Sequence, residues 1–274
     1  MNDKISLAGD LGSGKSTVSK LLIEALGAEY YSTGAIVRSI AEKRGMTVVE
    51  LNKYMETHPE IDTEIDDGLV ALSSVDKPLI IDSRMAWHFT KGTFKVYLST
   101  DIETSALRIM GANRKGEHSA TLEETVASTR ARRESEKKRY LEQYGVDIKD
   151  LSNYSLIVDT SYATPEQVAE CILAGFEAWK SCGEYRSCLI SPERLNYPDE
   201  AFDEELLCEY LAKIELGETL PEVQVFECDG EFYLASGLEA AMAYSLSMSV
   251  HIHAQLVEGT LAPDAEYVKM KNSL

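Results

Sequence analysis

The chain has 274 residues, 44% of them hydrophobic, and a formal net charge of −19, which is enough length and apolar content for one large folded domain or two ordinary ones. Residues 181–274 hold 5 Lys and Arg against 18 Asp and Glu, so that end repels phosphate backbones and anionic lipid and is expected to bind neither nucleic acid nor membrane. The five cysteines (Cys171, Cys182, Cys188, Cys208 and Cys228) lack C-x-x-C spacing, which argues against a disulfide framework or a zinc site; with no signal-like apolar segment after Met1, a cytoplasmic location is expected.

In chain order, apolar runs of strand length alternate with segments of helical period over the first 180 residues, the pattern of a parallel sheet covered by helices. Strands are predicted over residues 4–8, 29–31, 78–82, 94–98 and 156–159, and helices over 15–26, 34–44, 48–55, 60–73, 102–111, 122–144 and 165–181. Thr121 followed by Glu124 marks the start of the long helix over 122–144 as a capping box. Near Gly183 the texture changes to a turn-rich stretch, and a domain boundary is expected there, giving units 1–182 and 183–274. The second unit reads as a helix over 204–216, a hairpin of strands 223–228 and 231–235 around Asp229-Gly230, a helix over 238–245 and a strand over 250–257, a small α+β arrangement.

Residues 9–16, GDLGSGKS, satisfy G-x-x-x-x-G-K-[ST] at every fixed position, with a strand before them and an amphipathic helix after. Glycine backbone and a helix N-terminus offer amides and positive potential to phosphates, a lysine can follow the β and γ phosphates, and a serine can hold Mg²⁺. The expected nucleotide contacts are Gly9, Asp10, Leu11, Gly12, Ser13, Gly14, Lys15, Ser16 and Thr17, with ATP and Mg²⁺ as the implied ligands. Asp82 ends the third strand, where an acid can orient Mg²⁺ through water, and pairs with Ser16 as the metal candidates. Ser32-Thr33-Gly34 ends a strand and opens a helix, with Arg38 one turn further on the same face, so Ser32, Gly34 and Arg38 suit an acceptor phosphate. Arg130, Arg132, Arg133, Lys137, Lys138 and Arg139 crowd one stretch of the helix over 122–144, and guanidiniums neutralise the charge that spreads over a moving phosphoryl group.

Three segments carry a more specific resemblance: the phosphate-binding loop, YYSTGAIVRSIAEKRGMTVVELNKYMETHPEID, and RESEKKRYLEQYGVDIKDLSNYSLIVDTS. Together they make residues 1–175 similar to the archaeal-type cytidylate kinases, P-loop nucleoside monophosphate kinases. The resemblance implies a P-loop kinase sheet and transfer of the γ-phosphoryl of ATP to CMP or dCMP. It places Asp62 and Asp66, with Tyr54 and His58, where the family closes over the acceptor base, Arg84 beside the acceptor, and Arg133 and Arg139 on the lid's functional arginines, alongside Lys15 in catalysis. Two departures, Ser83 where the family pattern has glycine and Asp67-Gly68 where basic residues are expected, lie beside the acceptor pocket. They leave open a kinase acting on another small-molecule acceptor, or a nucleotide-responsive regulatory protein. The second unit resembles the ParB N-terminal and sulfiredoxin-like fold in pattern, but Ser236-Gly237-Leu238-Glu239 stands where that fold has a His-Arg pair for phosphate. An interaction or regulatory module, serving a protein partner or self-association, is therefore expected, with phosphotransfer chemistry complete before Ser181.

Overall fold

The computed structural model describes residues 3–55, 57–58, 60–112, 121–199, 201–262 and 265–272. The first half builds as its pattern demands. Strand β1 (Lys4–Gly9) is buried along its whole length, as a central parallel strand covered on both faces must be. Helix α1 (Lys15–Leu26), β2 (Glu29–Ser32), α2 (Thr33–Lys43), α3 (Val48–Met55), α4 (Glu60–Ala71), β3 (Leu79–Asp82), a short α5 (Ala86–Phe89), β4 (Phe94–Ser99), α6 (Ile102–Gly111), α7 (Leu122–Tyr144), β5 (Leu156–Asp159) and α8 (Pro165–Cys182) follow. The capping box at Thr121 and Glu124 is present, and a second one joins Thr164 to Gln167 at the start of α8. Helix α8 stops where Gly183 takes a left-handed φ of 76° and gives its N–H to Trp179 O.

That stop coincides with the boundary expected from the sequence, yet the sheet does not stop there. Strand β6 (Ser187–Ile190) pairs in parallel with β5. It is followed by β7 (Leu195–Pro198), α9 (Glu204–Glu215), β8 (Val223–Cys228), β9 (Glu231–Ser236), α10 (Leu238–Leu246), β10 (Ile252–Leu256) and β11 (Tyr267–Lys269). All eleven strands form one sheet in the order β11-β7-β9-β8-β10-β6-β5-β4-β1-β3-β2. Residues 183–274 thus continue the same sheet past the boundary expected at Gly183, with β6 parallel to β5 and β10 antiparallel to β6. One apolar cluster confirms the join: Trp87, Tyr97, Tyr154 and Ile157 of the first half pack with Ile190, Leu195, Phe232 and Met242 of the second. The predicted hairpin, its two flanking helices and the final strand are where they were read, while α5, β6, β7 and β11 are additional. No helix among the described residues is long and apolar enough to cross a membrane.

Candidate active site

The loop between β1 and α1 is set by steric necessity. Gly9 has φ 144°, and a Cβ there would lie 2.3 Å from Leu98 O; Gly12 has φ 72°, and a Cβ there would lie 2.7 Å from Ser105 O. Only glycine permits both conformations and both approaches. Ser13 is buried and donates through Oγ to Asp10 O at 2.9 Å. Leu11 O accepts from Ser105 Oγ, Gly14 caps α1, and Ser16 and Thr17 are exposed on its first turn. Lys15 folds back across the loop, its Nζ donating to Gly9 O at 3.0 Å and Asp10 O at 2.8 Å. Loss of solvation, followed by the nearby Arg84 cation, pulls the Lys15 ammonium down to about 8 against the opposing pull of Asp82, Asp10 and Glu136.

Asp10 was expected among the nucleotide contacts, and its side chain is engaged within the protein. The carboxylate turns inward, accepting from Tyr97 Oη at 3.0 Å, Thr100 N at 3.1 Å and Lys149 Nζ. Arg133 Nε lies 3.8 Å from its Oδ1. Burial pushes this carboxyl up, but Lys149 and Arg133 outweigh it and hold Asp10 well below the usual carboxylate range. Arg133 itself is mostly buried, and its Nε and Nη2 lack hydrogen-bond partners. A cavity lined by Gly9, Asp10, Leu11, Arg84, Arg133 and Glu136 brings the phosphate loop and the α7 cations together. Buried guanidinium nitrogens without acceptors, opening on such a cavity, suit an anion.

Parallel pairing sets the acceptor side. Asp82 stands opposite both Leu7 of β1 and Ser32 of β2, so these residues share the carboxyl edge of the sheet, where open α/β sheets bind ligands. Asp82 Oδ2 accepts from Tyr30 Oη at 2.9 Å. Ser32 caps α2, accepting from Ala35 N at 3.3 Å. A Cβ on Gly34 would lie 3.5 Å from Arg38 Nη1 and 3.7 Å from Ser32 Oγ, so the three predicted acceptor-phosphate residues do converge. Arg84 forks onto Glu136 of α7, with Nη2 at 3.2 Å from Oε1, and Arg132 Nε reaches the same oxygen at 3.2 Å. Arg139 lies over the Tyr140 ring at 5.0 Å from its centroid. Burial raises the carboxyl of Asp62, and the Arg139 cation only partly offsets it. Burial likewise raises Asp66, which accepts from Tyr144 Oη at 2.5 Å.

The predicted residues therefore fall into three groups: Arg84 and Arg133 line one cavity with Gly9, Asp10 and Leu11, Ser32, Gly34 and Arg38 converge at the start of α2, and Asp62 and Asp66 lie within electrostatic reach of Arg139. Arg130 is exposed, and Lys137 and Lys138 pair with Asp147 at 3.6 Å and Glu142 at 3.7 Å, the solvated-helix role such cations commonly have. His58 stacks on Tyr54 at 3.6 Å between ring centroids, with Nδ1 2.9 Å from Tyr54 O, as a local helix-end contact. The inward partners Tyr97 and Lys149, and Arg108, which donates to Thr160 O at 2.6 Å and sits 3.4 Å from Gly12 O, carried no sequence signal. For Glu136 there was one, an acid set within a cationic run.

The acceptor-side and lid cations imply different kinetic signatures. Arg38→Ala is expected to raise the acceptor KM much more than the ATP KM, whereas Arg139→Ala is expected to lower kcat strongly, because a lid cation acts mainly on the transition state. Initial rates over a grid of both substrates separate the two, and one shared pattern would undo this division of roles.

Residues 4–162 match the cytidylate kinase-like family. The chain is 38% identical over 174 residues to the cytidylate kinase of Thermoplasma volcanium, covering 62% of this chain and 89% of that one. To the cytidylate kinase of Sulfurisphaera tokodaii it is 37% identical over 172 residues, covering 62% and 93%. Among solved structures, an uncharacterized protein from Eubacterium ventriosum aligns with a TM-score of 0.50 at 15% identity, over 65% of this chain and 99% of that one, which speaks for the fold alone. With the family match spanning more than half of its residues and ending before β6, this chain belongs to the cytidylate kinase-like family.

Proposed function

We propose that this chain transfers the γ-phosphoryl of ATP to CMP or dCMP, as a nucleoside monophosphate kinase. The observation that carries this is Arg133, whose unpartnered buried nitrogens open on the same cavity as Gly9, Asp10 and Leu11. Phosphoryl transfer needs positioning and charge neutralisation more than covalent chemistry, and cations committed to a loop of backbone amides supply both. Lys15 follows the β and γ phosphates, Arg133 and Arg139 meet the charge of the moving group, and Arg84, braced by Glu136, lines the cavity beside the loop. Mg²⁺ suits one carboxylate with substrate phosphates and water, and the single acid Asp82 at the strand end with the exposed Ser16 hydroxyl fits that need. When bound, the ion would neutralise phosphate charge; Ser16 and Asp82 would hold it.

Asp62 and Asp66 support cytosine as the base. A carboxylate accepts from the exocyclic amine of cytosine, whereas the carbonyl that uracil has there offers no donor. The experiment is ADP release from ATP with CMP, dCMP, UMP, AMP and small alcohols in parallel. CMP or dCMP is expected to lead, and Asp62→Asn to lower the CMP-over-UMP ratio by about tenfold or more; turnover confined to an alcohol would refute the reading and favour the second one, a kinase of another acceptor. That second reading draws on Ser83, buried behind β3 with its N–H on Leu7 O, and on Gly68, where a Cβ would come within 2.7 Å of Tyr31 Oη.

The pH dependence follows from Lys15. kcat/KM for ATP reports the free enzyme, and with Lys15 pulled down to about 8 it is expected to fall as pH rises through that value. Lys15→Arg should remove this alkaline limb, since a guanidinium stays charged.

For residues 183–274, the succession α9, β8, β9, α10, β10 supports a ParB/sulfiredoxin-like origin. Their acidity suits a protein partner or self-association better than a polyanion.

A further inference from the structure

Arg194 stands where the two halves of the sheet meet. It has no solvent exposure, although it comes from the acidic half of the chain. Its Nη1 donates to Ser99 Oγ at 2.8 Å and to Asp159 Oδ1 at 3.2 Å, and its Nη2 to Gly230 O at 2.7 Å. Ser99 and Asp159 are the last residues of β4 and β5. The guanidinium therefore lies at the carboxyl edge of the parallel strands, the edge on which the phosphate loop opens. Asp159 is also fully buried, and a buried ion pair adds little stability over an apolar replacement. Its value to the protein lies in what it holds in place.

Two chains of contact lead from Arg194 to the donor site. On one side Asp159 Oδ1 accepts from Ser161 N at 3.0 Å and Ser161 Oγ at 2.6 Å. Ser161 Oγ in turn accepts from Asp101 N at 3.0 Å. The neighbouring Thr160 O takes the Arg108 guanidinium, which also reaches Gly12 O of the phosphate loop. On the other side, the turn at Gly230 lies beside the lid, since a Cβ on Gly230 would be 3.8 Å from Arg133 Nη1. One buried fork, contributed from beyond the family match that ends at residue 162, thus braces the phosphate loop and backs the lid arginine.

We propose that Arg194 is a positioning residue for phosphoryl transfer, fixing the loop after β5 against the phosphate loop and the Gly230 turn against Arg133. This rests on the reading of residues 9–16 as the ATP site. It also makes residues 183–274 part of the donor site's support.

Two variants test it. Arg194→Lys keeps a cation beside Asp159, but an ammonium cannot span Ser99, Asp159 and Gly230 as a planar fork does. Arg194→Met combined with Asp159→Asn removes both charges and leaves an acceptor for Ser161. Each is compared with wild type for melting temperature, for affinity toward a non-hydrolysable ATP analogue by calorimetry, and for KM and kcat with CMP. The expected result is a folded protein whose analogue Kd rises about tenfold, with kcat lowered and the acceptor KM unchanged. Analogue binding needs no acceptor, so a wild type that binds the analogue yet phosphorylates no monophosphate refutes the kinase assignment and leaves the Arg194 measurement standing. A wild type that does not bind the analogue overturns both. A folded variant with wild-type analogue affinity and kcat overturns the proposal, as does equal weakening toward donor and acceptor. Failure of both variants to fold also overturns it, since Arg194 would then serve the fold and not the reaction.

Discussion

Lys15→Ala is expected to lower kcat by ~10³-fold or more, the scale on which phosphoryl transfer loses rate when a charge-stabilising cation goes. The reason is the lack of a substitute among the described residues. Arg84 is committed to Glu136, Lys149 to Asp10 and Tyr97, and Arg133 approaches the loop from the Asp10 side. Lys15 lies across the loop on Gly9 O and Asp10 O, poised to move with the phosphates. The fold should survive the change. Because the folded protein holds Lys15 near 8 against 10.5 for an unhindered lysine, the unfolded chain binds the proton more tightly, and this charge opposes folding below about pH 8, an opposition that fades as pH rises toward 10.5. Removing it should leave the melting temperature unchanged or slightly raised. Retention of a tenth of wild-type turnover would count against the donor-site assignment.

A chain ending at Cys182 is expected to lose native packing altogether, although every donor, acceptor and lid residue named above precedes that point. The cut strips β6 from β5 and bares one side of the cluster containing Trp87, Tyr97, Tyr154 and Ile157. A bare, apolar strand edge invites association with other chains. The expected product has strong far-ultraviolet dichroism, weak near-ultraviolet dichroism and bound hydrophobic dye, with turnover at background. A monomeric truncated protein with a cooperative melt and wild-type kcat would show that the first half stands alone.

What the sequence disclosed follows from the range of each interaction. The phosphate loop, the cap at Thr121 and the boundary at Gly183 are contiguous signals, each complete within a few residues. The Gly34 and Arg38 pairing is also local, one helical turn long. Arg84 and Glu136 are 52 positions apart, and Arg194 and Asp159 are 35 apart; nothing in either neighbourhood names its partner. Asp10 looked like one more loop residue because its partners Tyr97, Thr100 and Lys149 lie far along the chain. Strands β6 and β7, SCLI and LNYP, are too short for an alternation to register, and LNYP ends in a proline. Continuity of the sheet was hidden for the same reason: a strand's own residues say that it will pair, not with what.

Strand β10 lies between β6 and β8, antiparallel to the first and parallel to the second. Its residues, Ile252–Leu256, are synthesised after those of both neighbours. While the chain is being made, the hairpin of β8 and β9 can close, but it has no bridge to the kinase strands until β10 has left the ribosome. The nascent kinase half must wait with an open edge at β6, a long-range pairing of the slow kind that exposes intermediates to aggregation. A pause in translation shortly before residue 252 would lengthen that wait and fall where holding chaperones have the most to protect.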